Sequence, residues 1–157
     1  MRAVGIDLGE KRIGVAVSDS ESRVATPYET AVRSGSRDQD HAQIRGIVEE
    51  VGAEILVVGL PLSLDGTEGK AAADAREEAE HLRQAVPIPL EMHDERLTTV
   101  EAERVLQEQG LDASQRRKVV DKVAASIILQ AWMDARLSLI HISEPTRPIR
   151  SRMPSSA

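Results

Sequence analysis

Glu54-Ile55-Leu56-Val57-Val58-Gly59 is the stretch that most limits what this chain can fold into. Its apolar run is unbroken, so it reads as a strand buried on both faces, and such strands belong to sheets covered by helices on each side. A helix over about 37–52 precedes it, with a capping-box spacing at Ser36 and Gln39, the apolar residues Ile44, Ile47, Val48 and Val51 on one face, and Gly52 at its end. A second helix, rich in Ala, Glu and Arg, follows over about 68–85.

Upstream, residues 2–8 and 12–18 alternate as two strands joined by the tight Gly9-Glu10-Lys11 connection, and therefore pair antiparallel. A third extended piece near 24–30 contains Pro27, which suits an edge. Downstream, 87–93 reads as a short strand. Thr98 and Glu101 open a helix to about Gln109, and Ser114 begins a last helix reaching Trp132 or beyond. Three antiparallel strands followed by strand–helix–strand crossovers predict a mixed five-stranded α/β sheet with helices on both faces.

Composition narrows the chemistry. The chain has 157 residues, enough for one domain with a genuine core. It has no cysteine, which excludes a disulfide, a zinc–thiolate site and a thiol nucleophile. Tyr28 and Trp132 are its only aromatics, so base stacking on aromatic platforms is not a main binding mode. No apolar run approaches the ~20 residues that span a bilayer, and the first strand begins at once without a signal sequence; the expected compartment is the cytoplasm.

Residues 137–157 carry Pro145, Pro148 and Pro154 among serines and are expected to be disordered. Their first eleven residues look like a translated sequencing adapter, so the expected domain is 1–136. Subtracting the tail's net +2 from the chain's −6 leaves −8 on that domain. An acidic body does not coat nucleic acid through bulk charge, but it can meet phosphate at one metal-loaded site with a basic rim. Rim candidates are Lys11, Arg12, Arg96, Arg116, Arg117, Lys118 and Lys122; each also reads as an ordinary solvated charge.

Asp7 closes the first strand beside a glycine turn. A carboxylate there is costly unless a cation sits against it, although an aspartate capping a hairpin turn is the plainer alternative. His93-Asp94-Glu95-Arg96 follows the last strand, and Asp121 lies within the final helix. Ligands in open α/β sheets bind beyond the carboxyl ends of parallel strands, where the glycine-bearing loop 59–70 also opens. Taken separately, Asp94 and Glu95 read as helix-start charges, Asp121 as a partner of Arg117, and His93 as a packed strand residue.

Together, GIDLGEKRIGVAVSD (5–19), VVGLPLSLDGTEG (57–69), DERLTTVEA (94–102) and DKVAASIILQAW (121–132) resemble the YqgF/RuvX-type family of small bacterial nucleases with the RNase H-like fold. Members of that family are described as processing nucleases for the 5′ end of pre-16S ribosomal RNA or as Holliday-junction resolvases. The resemblance implies a catalytic and metal-binding set of Asp7, Glu95 and Asp121 holding Mg²⁺ or Mn²⁺. It places Arg12, Gly59 and Arg96 in matching motifs, beside the basic candidates Arg116, Arg117 and Lys118. It also implies structured RNA or branched DNA as substrate, pre-ribosomal particles as partners, and a monomer or homodimer.

Two other readings stand beside it. Asp-Leu-Gly before a hairpin also resembles the phosphate-binding start of actin-like kinases, which need a second equivalent domain for which this chain has no room. A non-catalytic RNA-binding or ribosome-assembly module is the other; metal-dependent cleavage separates it from a nuclease.

Overall fold

The computed structural model describes residues 1–62, 67–94 and 122–136. In chain order these form β1 (Ala3–Leu8), β2 (Arg12–Ser18), β3 (Ala25–Val32), α1 (Arg37–Val51), β4 (Ile55–Leu60), α2 (Lys70–Ala85), β5 (Leu90–Asp94) and a helix over 122–136, here α3. The strands make one sheet in the order β3-β2-β1-β4-β5. β1–β2 and β2–β3 pair antiparallel, while β1–β4 and β4–β5 pair parallel, as expected for the mixed sheet.

Side chains alternate across the sheet, and the two sets meet different helices. Val4, Ile6, Ile13, Val15, Leu56 and Val58 pack with Ile44, Ile47 and Val48 of α1 and with Ala79 and Leu82 of α2. Ala3, Ala16, Ile55 and Val57 pack on the other face with Ala125, Ile128, Leu129, Trp132 and Met133 of α3. On this face β1 and β2 present the small residues Ala3, Gly5 and Ala16, and the helix lies close at Gly5. A Cβ built on Gly5 would stand 2.7 Å from Leu129 Cβ and 3.0 Å from the Ala125 carbonyl oxygen.

Gln130 fixes the direction of α3. Its side chain accepts from the Ala25 amide at 2.9 Å and donates to the Arg23 carbonyl at 3.0 Å, near the amino-terminal end of β1. Ala125 lies against Gly5, so the start of α3 is toward the Asp7 end of the sheet.

Local chemistry sets the α1 boundaries. The Ser36 side chain accepts from the Gln39 amide, and Gly52 closes the helix at φ 68°, in the left-handed region. The expected strand at 87–93 instead begins at Leu90, because Pro87 and Pro89 supply no N–H to a ladder. The helix expected over 98–109, and the tail 137–157, lie outside the described residues. No helix among the described residues is long and apolar enough to cross a membrane.

Candidate active site at the carboxyl edge of the sheet

Asp7 is half-buried near the carboxyl end of the central strand. In β2 its partner is Gly14. On the other side Ile6 pairs with Val58, so the next step of the parallel register sets Gly59 beside Asp7. The carboxylate thus stands on the α3 face between two positions that carry no side chain. Gly59 in turn pairs with His93 of β5, which completes a row of Asp7, Gly59 and His93 along the edge.

Strand parity sorts the remaining candidates. Arg12, two residues before Gly14, shares the face of Asp7. Asp94 pairs with Leu60, one step beyond Gly59, and falls on the opposite face. Burial lowers the His93 imidazole below its ordinary range, while the nearby Asp94 carboxylate pushes it upward. Of the residues singled out by sequence, Asp7, Arg12 and Gly59 therefore converge. Glu95, Arg96, Arg116, Arg117, Lys118 and Asp121 lie outside the described residues. Among the described residues, no three carboxylates or imidazoles come together to hold a metal ion.

A cleft of about 930 Å³ opens at this edge, between the β1–β2 turn and the first turns of α2. Its charged lining consists of Asp7, Glu10, Asp74, Glu77 and Glu78 against Arg33, Arg37 and Lys70. Carboxylates outnumber cations, so an anion entering the cleft is repelled unless further positive charge accompanies it. At the amino terminus of α2, the N-cap position is Gly69, which has no side chain to satisfy the first amides.

A buried charged network beside the cleft has no counterpart among the sequence expectations. Arg33 forms a two-pronged pair with Glu78, its Nη1 and Nη2 donating at 2.6 and 2.9 Å. His41 Nε2 lies 2.9 Å from Glu78 Oε2, and Asp40 Oδ1 accepts from the Ser34 amide and hydroxyl, each at 2.9 Å. One sequence signal was available. Glu78 falls on the buried stripe Ala72, Ala75, Ala79 and Leu82, and a charge on such a stripe needs a buried partner.

The described sheet and helices thus define a mixed α/β domain of the RNase H-like kind, with a half-buried acidic residue between glycines at its carboxyl edge. Known structures agree on the fold. The Thermus thermophilus RuvC bound to a Holliday-junction substrate superposes with a TM-score of 0.57 at 17% identity, covering 88% of this chain and 96% of that one. A second structure of RuvC from the same organism gives 0.54 at 18% identity. The family model described as "RuvX: Holliday junction resolvase" matches residues 1–135, and this chain belongs to that family. Among its relatives, a Rhodococcus opacus protein named "Putative pre-16S rRNA nuclease" is 51% identical over 139 residues, covering 86% of this chain and 78% of that protein. A protein of the same name from Anaeromyxobacter sp. is 47% identical over 136 residues, covering 87% and 98%.

Proposed function

We propose that this protein is a divalent-metal-dependent nuclease that hydrolyses phosphodiester bonds in the cytoplasm, processing the 5′ end of pre-16S ribosomal RNA. Family membership supports the reaction class, and the names of the relatives support the substrate. One observation carries the assignment of the site: Asp7 stands at the sheet's carboxyl edge, flanked on the two neighbouring strands by Gly14 and Gly59, positions that carry no side chain of their own.

A carboxylate placed between two such positions suits a hard cation, which prefers carboxylate oxygen. Asp7, Glu95 and Asp121 are the residues proposed to hold it. Mg²⁺ or Mn²⁺ bound there supplies a Lewis acid and an activated water. The acidic cleft fits the same reading, since a phosphodiester approaches so many carboxylates only when cations offset them. Arg12, on the Asp7 face, and Arg96 are proposed to hold the scissile phosphate. The amides at the start of α2 offer donors to a neighbouring phosphate.

The test is a cleavage assay with pre-16S RNA and four-way junction DNA side by side, with and without Mg²⁺ or Mn²⁺. Metal-dependent cutting of the RNA, abolished by Asp7→Asn, Glu95→Gln and Asp121→Asn while the circular dichroism spectrum is unchanged, is the expected result. Cutting of the junction alone moves the substrate to branched DNA. A purified protein that cuts neither leaves the non-catalytic assembly role.

A further inference from the structure

Arg33 grips the β1–β2 turn from two sides. Its backbone N–H donates to the Lys11 carbonyl at 2.9 Å. Its guanidinium donates to the Gly9 carbonyl through Nε at 3.0 Å and Nη2 at 2.9 Å. The opposite edge of the guanidinium meets Glu78 through Nη1 and Nη2, and Nη1 also stands 3.6 Å from Asp40 Oδ2. Each of the three guanidinium nitrogens thereby donates to an oxygen. A lysine ammonium, with one nitrogen, cannot face both Gly9 and Glu78 in this way.

The arrangement joins the end of β3, α1, α2 and the turn. Apolar side chains of similar volume would fill the same space without burying charge, so filling space does not account for the network. What it specifies is the place of the Gly9 carbonyl. Gly9 is tied to Asp7, whose carbonyl accepts the Gly9 N–H at 3.1 Å. The turn has no slack, since a Cβ on Gly9 would stand 2.5 Å from the Arg12 carbonyl oxygen.

We propose that Arg33, held by Glu78, is a positioning residue for Asp7: it fixes the Gly9 carbonyl and with it the backbone that aims the Asp7 carboxylate. The role rests on the metal-binding reading of Asp7 above. It is the counterpart of the outer hydrogen bonds that orient metal-binding side chains, whose loss lowers metal affinity or activity by about 10- to 100-fold.

The experiment compares full-length wild type, Arg33→Lys, Glu78→Gln and Ile47→Val. The last loosens α1 packing without touching the turn. Free Mn²⁺ is followed by electron paramagnetic resonance, and kcat and KM are measured on whichever substrate the wild type cuts. Arg33→Lys is expected to weaken Mn²⁺ binding by about 10-fold or more and to lower kcat similarly, with KM held within about twofold. Ile47→Val should move neither. Arg33→Lys that binds Mn²⁺ as wild type does overturns the proposal and leaves the nuclease reading standing. If that variant does not fold, Glu78→Gln decides, because it keeps one acceptor oxygen; unchanged Mn²⁺ affinity there overturns the proposal too. A wild type that binds Mn²⁺ without cutting removes the nuclease reading, and the positioning role is then judged on the Mn²⁺ affinities alone. A wild type that binds no Mn²⁺ overturns the positioning role.

Discussion

Gly5 of β1 and Leu129 of α3 touch so closely that the smallest side chain at Gly5 would overlap the Leu129 Cβ. Neither atom on the α3 side can swing aside, since one is a Cβ and the other the Ala125 carbonyl oxygen. Gly5→Ala must therefore shift the helix. Overpacking of this kind costs about 1–3 kcal/mol, and urea unfolding should show a loss in that range. Stability equal to wild type would mean that α3 sits farther from β1 than described.

Stability should also report on Glu78. Burial raises its carboxyl, but the hydrogen bonds from Arg33 and His41 outweigh that, so it is held below the usual range. A carboxylate of lowered value stabilises the fold fully above its unfolded value, about 4.3, and loses that contribution as pH falls through the folded value. Arg33, His41 and Asp40 are the charged and titratable groups around it. Wild type should lose stability more steeply than Glu78→Gln as pH falls below about 5. Parallel curves, from chemical unfolding at each pH, would show that the network adds nothing to acid stability.

Metal should stabilise the folded chain. At a hundredfold excess of Mn²⁺ over Kd, mass action gives about 2.7 kcal/mol, and the thermal midpoint of wild type should rise accordingly. Asp7→Asn should lose most of that rise. An equal rise in both proteins would remove Asp7 from the metal site.

The basic segment Arg116-Arg117-Lys118 is expected to contact the phosphate backbone. Reversing all three residues to Glu should weaken substrate binding and flatten the dependence of log affinity on log salt. An unchanged slope would assign these residues to a solvated face.

Much of this was legible in the sequence wherever the deciding chemistry is local. The β1–β2 hairpin announced itself through Gly9 and alternation, and α1 through Ser36 and Gly52. The buried β4 was visible in its unbroken apolar run. Asp7 stood out in the sequence as a candidate, but its setting between Gly14 and Gly59 did not, because that depends on registers across three strands. The start of β5 was read too early, since the apolar pattern at Pro87-Ile88-Pro89 outweighed the missing donors. Arg33 and Glu78 stand 45 residues apart, and nothing in local periodicity pairs an arginine at a strand's end with one glutamate on a distant helix.

The strand order has a consequence for how the molecule comes into being. β1 is a seam: on one side is a meander closed by short turns, and on the other are strands reached only through long crossovers. Residues 1–32 hold every partner of the meander, whereas Gly59 and His93 must arrive from much farther along the chain, against a larger loop-closure entropy. A growing or half-folded chain can therefore display Asp7 in its hairpin without the edge that completes its surroundings. On this topology the edge around Asp7 is expected to be completed late in folding, once the crossover half has docked.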